Sequence, residues 1–159
     1  MSGLNWTQVS SLNEWSQNRL EKVRELILAT TGEAYEIDRL RGLPLDEGYG
    51  RWVLTDGKRD LGILWVMRLS KQCARVLAFS VANELQGNGM GAEGWRRFAT
   101  AAKAVGIRTV QLEVRQDNEA AIAMYQRRGL RPKGSIVGFY RGHDGWLMRG
   151  PLLVEAASQ

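Results

Sequence analysis

The chain has 159 residues, 44% of them apolar and 25% charged, with 22 basic side chains against 17 acidic ones and a formal net charge of +5. That length suffices for an ordinary core and those fractions exclude collagen-like and disordered classes, while one cysteine (Cys73) and one histidine (His143) leave no material for an intrachain disulfide, a cysteine-based metal cluster or a multi-histidine site. No apolar run approaches the ~18 residues of a membrane span, the opening Met1-Ser2-Gly3-Leu4-Asn5-Trp6 lacks the plan of a signal peptide, and a cytoplasmic protein, metal-free and attracted to an anionic partner, is expected.

No linker, low-complexity block or internal repeat divides the chain, so residues 1–159 are expected to form a single domain. Ser11-Leu12-Asn13-Glu14 has the form of a capping box, and Leu12, Trp15, Leu20, Val23 and Ile27 recur at helical spacing up to Gly32, which predicts a helix over roughly 12–30. A shorter helix is expected over 34–41, before Gly42 and Pro44. Three apolar runs follow, at 51–55, 61–69 and 74–81, the first two separated by an Asp56-Gly57 turn and the last two by Ser70-Lys71-Gln72, and these read as three successive antiparallel strands. Met90, Trp95, Phe98, Ala102 and Val105 then mark one face of a helix ending at Gly106, and a strand over 109–114 follows. The strand–helix–strand unit from 74 to 114 is long enough to return its second strand parallel to its first. Asn118 caps another helix that ends at Gly129, and a last hairpin is expected from 136–140 and 146–152 around an Arg141–Gly145 turn. The fold class is thus α/β in the α+β sense: a mixed, mostly antiparallel sheet with one parallel βαβ unit and helices on both faces.

Between the strand ending at Val81 and the next helix lies Gln86-Gly87-Asn88-Gly89-Met90-Gly91. Unpaired amides of a first helical turn and the positive end of the helix dipole favour an anion, and three alternating glycines exceed what a plain connection needs. Gly89-Met90-Gly91-Ala92-Glu93-Gly94 is also a literal G-x-G-x-x-G. A dinucleotide site is disfavoured, because a helix and an antiparallel meander precede this segment and Glu84-Leu85-Gln86 separates it from its strand.

These residues resemble the [Gln/Arg]-x-x-Gly-x-[Gly/Ala] pyrophosphate loop of the GNAT superfamily of acetyl-CoA-dependent N-acetyltransferases. A second block agrees independently: Leu112-Glu113-Val114-Arg115 followed by Asn118, Ala121, Tyr125 and Gly129-Leu130. Together they cover roughly residues 74–131. That block and the tail from Phe139-Tyr140 to Met148 look most like the protein N-terminal acetyltransferases, the ribosomal-protein alanine N-acetyltransferase group in particular, whereas residues 1–73 show no match to that group's substrate-gripping region.

The resemblance implies a GNAT fold and acetyl transfer by direct attack of an amine within a ternary complex, acetyl-CoA being the donor and CoA the product. It implies that main-chain groups of Phe79, Ser80 and Val81 hold the pantetheine and polarise the thioester carbonyl, that amides of Gln86, Gly87, Asn88, Gly89, Met90 and Gly91 take the phosphates, and that Asn118 and Tyr125 also touch the cofactor. Glu113 becomes the general base and Tyr125 the general acid, with Phe79, Glu113 and Tyr140 beside the acceptor. Each has a plainer alternative: Glu113 a strand-end carboxylate paired with an arginine, Tyr125 a packed aromatic, Asn118 a helix cap and Tyr140 a strand residue. His143 falls in a turn, where polar residues are common, and Cys73 has no positional partner for a covalent route. Arg127, Arg128, Arg131 and Lys133 form a basic cluster that suits a helix C-terminus, adenosine phosphates or nucleic acid.

The expected acceptor is the α-amine of a protein or peptide, with a ribosomal protein as a candidate partner, nucleic acid and membrane not expected, and the chain a monomer or homodimer. Acetylation of a small-molecule amine or antibiotic is the alternative, and a non-catalytic acyl-CoA-binding or RNA-associated module a second.

Overall fold

Seven strands hydrogen-bond into one sheet in the order β1-β2-β3-β4-β5-β7-β6 in the computed structural model, which describes residues 3–154. The strands are β1 (Asn5–Gln8), β2 (Arg51–Thr55), β3 (Asp60–Arg68), β4 (Cys73–Val81), β5 (Thr109–Arg115), β6 (Arg131–Tyr140) and β7 (His143–Pro151). Helices α1 (Gln17–Thr31) and α2 (Ile37–Arg41) precede β2, α3 (Met90–Ala104) joins β4 to β5, and α4 (Glu119–Arg127) joins β5 to β6. All neighbouring pairs are antiparallel except β4 with β5. This is the mixed α/β sheet with one parallel crossover that the sequence predicts.

Strands covered on both faces carry continuous apolar runs, and the two faces build two cores. On one, Trp52, Leu54, Leu64, Val76, Leu112 and Met148 meet Trp95, Phe98 and Ala102 of α3 and Tyr125 of α4. On the other, Val53, Ile63 and Trp65 meet Leu20, Val23 and Ile27 of α1 and Leu40 of α2. Trp95 and Phe98 contact edge to face at 5.2 Å, and burying each such ring contributes on the order of 2 kcal/mol.

Four expectations change. The first helix starts later: Ser11 makes no capping bond, Leu12–Glu14 is a single 3₁₀ turn, and Trp15 is extended at ψ 146°. The cap is Ser16, whose hydroxyl accepts from the Arg19 N–H at 3.1 Å. Leu12 and Trp15 are nevertheless buried, so the apolar spacing marked the core without marking the helix. The second helix shrinks to Ile37–Arg41, leaving 32–36 as a loop. β1 was not foreseen, because in its four residues only Trp6 turns inward. Finally, β6 starts at Arg131 and His143 lies in β7 rather than in a turn; register shifts at Pro132/Gly134 and Ile136/Tyr140 hide the strand's two-residue period.

No helix among the described residues is long and apolar enough to cross a membrane. At the entry to β2 the chain leaves no room for a side chain: a Cβ on Gly50 would lie 2.0 Å from the Val66 carbonyl oxygen. Gly50→Ala should therefore lower unfolding free energy by roughly 3 kcal/mol, read as a drop in the urea midpoint with unchanged slope.

Candidate active site

β4 and β5 pair only across residues 73–76 and 109–112. Beyond that point Leu77 falls at a register shift, residues 78–81 pair with β3 alone and 113–115 with β7 alone, so the sheet opens at its centre where the parallel strands end. The Ala82 N–H donates to the Leu61 carbonyl at 2.8 Å. Strand alternation then turns the Ser80 amide towards β3 as well, and leaves the Phe79 and Val81 amides facing the opening. Ser80 departs in this way from the expected main-chain donor, and its contribution is a buried hydroxyl that has no hydrogen-bond partner among the described residues.

Two cavities meet at this opening, both lined by Phe79, Ser80, Asn118, Ala121 and Tyr125. The larger, about 450 Å³, continues past Val81, Gln86, Gly87, Gly89, Met90 and Gly91 to Arg127 and Arg128. Gly87 and Gly89 have φ of 83° and 79° with open space where a Cβ would stand. The Gln86 side chain pins the loop by donating to the Val81 carbonyl at 2.9 Å and to Asn83 Oδ1 at 3.2 Å. Amides from Gly87 to Ala92 donate to no acceptor among the described residues. A glycine-lined run of free donors at the start of a fifteen-residue helix fits a pyrophosphate. Asn88, expected in this cradle, is exposed and lines neither cavity.

The smaller cavity, about 220 Å³, lies on the α1 face and is lined by Glu33, Tyr35, Arg39, Arg75, Glu113 and Tyr140 among others. Glu113 is thus brought together with Tyr125 and Tyr140, but it is held by an arginine: Arg75 Nε donates to both carboxylate oxygens at 3.1 and 3.2 Å, and Nη2 makes a further bond. Tyr125 is buried against Phe79 and Trp95 at 6.4 and 5.9 Å between ring centroids. Its hydroxyl has no hydrogen-bond partner among the described residues; burial, then the Glu33 charge, pushes the phenol far up, so it stays protonated. Asn118 caps α4, its Oδ1 accepting from Ala121 N–H at 3.2 Å, and its side chain still borders both cavities.

Sequence reading missed Glu33. It sits in the loop after α1, where burial raises its pKa against the opposing pull of Arg115, Tyr35 and Arg39. Its neighbour Tyr35 is pushed up to about 12, by burial first and the Glu33 charge second. The signal available was Gly32, in the left-handed region at φ 77°, which turns the chain back over the sheet immediately before Glu33. Across the cavity, the Tyr140 hydroxyl accepts from the Ala34 N–H at 2.7 Å and ties the β6–β7 hairpin to that loop.

Other candidates fall outside the cavities. His143 lies 3.4 Å from Asp117, Cys73 is buried at the far end of β4, and Arg131 donates to the Gln126 and Leu130 carbonyls at the end of α4. No group of three or more His, Cys, Asp or Glu among the described residues is arranged to hold a metal.

No curated protein matches the chain by sequence. Among solved structures it is similar to Ard1 from Thermoplasma volcanium (TM-score 0.79, 22% identity, 95% of this chain and 99% of that one). It is similar also to the ribosomal-protein-S18-alanine N-acetyltransferase from Escherichia coli (0.77, 17%, 98% and 98%) and to an IAA acetyltransferase from Bacillus cereus (0.71, 15%, 93% and 99%). At these identities the likeness establishes the fold. The model of the acetyltransferase (GNAT) family matches residues 14–130, and with the sheet parting above a glycine-lined anion cradle, the chain belongs to this family of acetyl-CoA-dependent acetyltransferases.

Proposed function

We propose that the protein, working as one domain, acetylates the α-amine of a protein or peptide N-terminus by direct attack on acetyl-CoA. The observation that carries this is the junction of the two cavities at Phe79, Asn118 and Tyr125, where a donor in the larger cavity and an amine in the smaller one come within reach of the same side chains. Bound acetyl-CoA supplies an acetyl thioester with a thiolate leaving group. The amides of 87–92 hold its phosphates, and the Phe79 and Val81 main chain holds its pantetheine, a free amide there polarising the carbonyl. Tyr125, kept protonated by burial, donates a proton to the departing sulfur.

Glu113 accepts the ammonium proton in this scheme, directly or through water, while Arg75 keeps its carboxylate aimed into the cavity. Glu33 faces the same space as a second carboxylate. Two carboxylates against the guanidiniums of Arg39 and Arg75 leave the lining close to neutral, which suits one ammonium group better than a polycation. Among the similar structures, an S18-alanine N-acetyltransferase and a NatC complex bound to a Gag peptide support a peptide acceptor, and a ribosomal protein is among the candidates. A small-molecule amine is favoured instead by the modest acceptor cavity and the Ala34–Tyr140 bond across it, and IAA and spermidine acetyltransferases share the fold.

Thiol release from acetyl-CoA with peptides bearing free Ala, Ser, Thr or Met N-termini, beside a panel of small amines, separates these readings: turnover confined to peptides is expected, and turnover with small amines alone overturns the peptide assignment. Tyr125→Phe and Glu113→Gln should each fold normally and lose about 10²-fold or more in kcat; full rate in both removes them from the chemistry. Glu33 gives a pH test. Its native pKa lies above the unfolded value, so wild-type stability falls as pH rises from the unfolded pKa through the native one. The melting temperature of Glu33→Gln relative to wild type should be more favourable at pH 7 than at pH 4.

A further inference from the structure

Trp6 is the one inward-facing residue of β1, only 3% exposed, and it packs behind the start of α3 without lining either cavity. Its indole Nε1–H donates to the carbonyl oxygen of Met90, the first residue of α3, at 2.8 Å. The indole lies where Gly94 leaves space: a Cβ there would stand 2.6 Å from Trp6 Cε2 and 2.7 Å from Cζ2. Its ring also meets Phe79 of β4 edge on, at 6.4 Å between centroids.

Within a helix the Met90 carbonyl already has its i+4 amide as a partner, so the indole takes the second lone pair and fixes the peptide group from outside the helix. That carbonyl and the Gly91 N–H belong to one planar trans peptide and point in opposite directions. Holding the oxygen towards β1 therefore aims the Gly91 N–H away from β1, and Gly91 lines the cavity where amides 87–92 have no acceptor. In a first helical turn, where helix ends fray, a second bond to that oxygen holds the peptide plane more firmly than the i+4 bond alone, and hydrogen bonds weaken steeply with misalignment.

We propose that Trp6 is a positioning residue for the cofactor's phosphates: its indole N–H locks the Met90–Gly91 peptide plane so that the Gly91 amide is pre-aimed at the pyrophosphate. This rests on the reading of the larger cavity as the CoA site. It goes beyond that reading by assigning phosphate affinity to a side chain that never touches the cofactor.

The test compares two thioesters, acetyl-CoA and S-acetylpantetheine, the second carrying the same reacting group without phosphates. Trp6→Phe keeps an aromatic ring in the seat and removes the donor. It should weaken CoA binding, measured by calorimetry, roughly three- to tenfold. The KM for acetyl-CoA should rise by a similar factor with kcat at saturation unchanged, and kcat/KM for S-acetylpantetheine should hold. Equal losses with both thioesters, or unchanged CoA affinity, overturn the proposal. If Trp6→Phe does not fold, benzothienylalanine inserted at position 6 preserves the shape of indole with sulfur in place of N–H, and the same split is expected. Wild-type protein that binds no CoA overturns the cofactor assignment itself, a result visible without any variant.

Discussion

Everything at the site depends on two parallel strands that pair for four residues and then part. β4 and β5 hydrogen-bond only from Cys73↔Thr109 to Val76↔Leu112. A longer ladder would occupy the main-chain groups beyond Val76 and close the sheet. Because each strand keeps its outer partner, β3 for β4 and β7 for β5, the opening costs no unsupported strand; it exposes polar backbone in the middle of the molecule, where a ligand that pairs with backbone can replace the missing neighbour.

The opening also joins two faces that a sheet normally separates. Alternation along β5 sends Leu112 and Val114 into the core shared with α3 and α4, and Glu113 to the opposite side, where Arg75 and the loop after α1 meet it. Tyr125 belongs to the first face and Glu113 to the second, yet both border the smaller cavity because no ladder stands between them. The apolar setting of Tyr125 and the charged setting of Glu113 follow from that division. A phenol packed against Phe79 and Trp95 is kept neutral, and a carboxylate gripped by a guanidinium is kept aimed.

Much of the half of the site built on β4, the glycine turn and α3 was legible from short segments alone. The strand–loop–helix from Cys73 to Ala104 needs only an apolar run, alternating glycines and an amphipathic stretch, all local patterns, and Asn118 forms the cap its position predicts. The smaller cavity was not legible in the same way. Glu33 gains its setting from Arg115 and Arg39, 82 and 6 residues away in the chain, and the hairpin's hold on that loop runs from Tyr140 to Ala34. Ser80 looked like another strand residue offering its amide, until the pairing with β3 decided which way that amide turns. Trp6 lay in a segment too short and polar to announce a strand.

The sequence by itself determined the order of elements after β1, the parallel crossover, the glycine-rich turn before α3 and, through two spaced motifs, the family. Those features arise from periodicity, glycine conformation and helix ends, which act over a few residues. Tertiary structure alone decided that Arg75 grips Glu113, that Glu33 shares its cavity, and that Trp6 braces the first peptide of α3. Such contacts join residues tens of positions apart, and which side chains meet there is set by strand register and loop path.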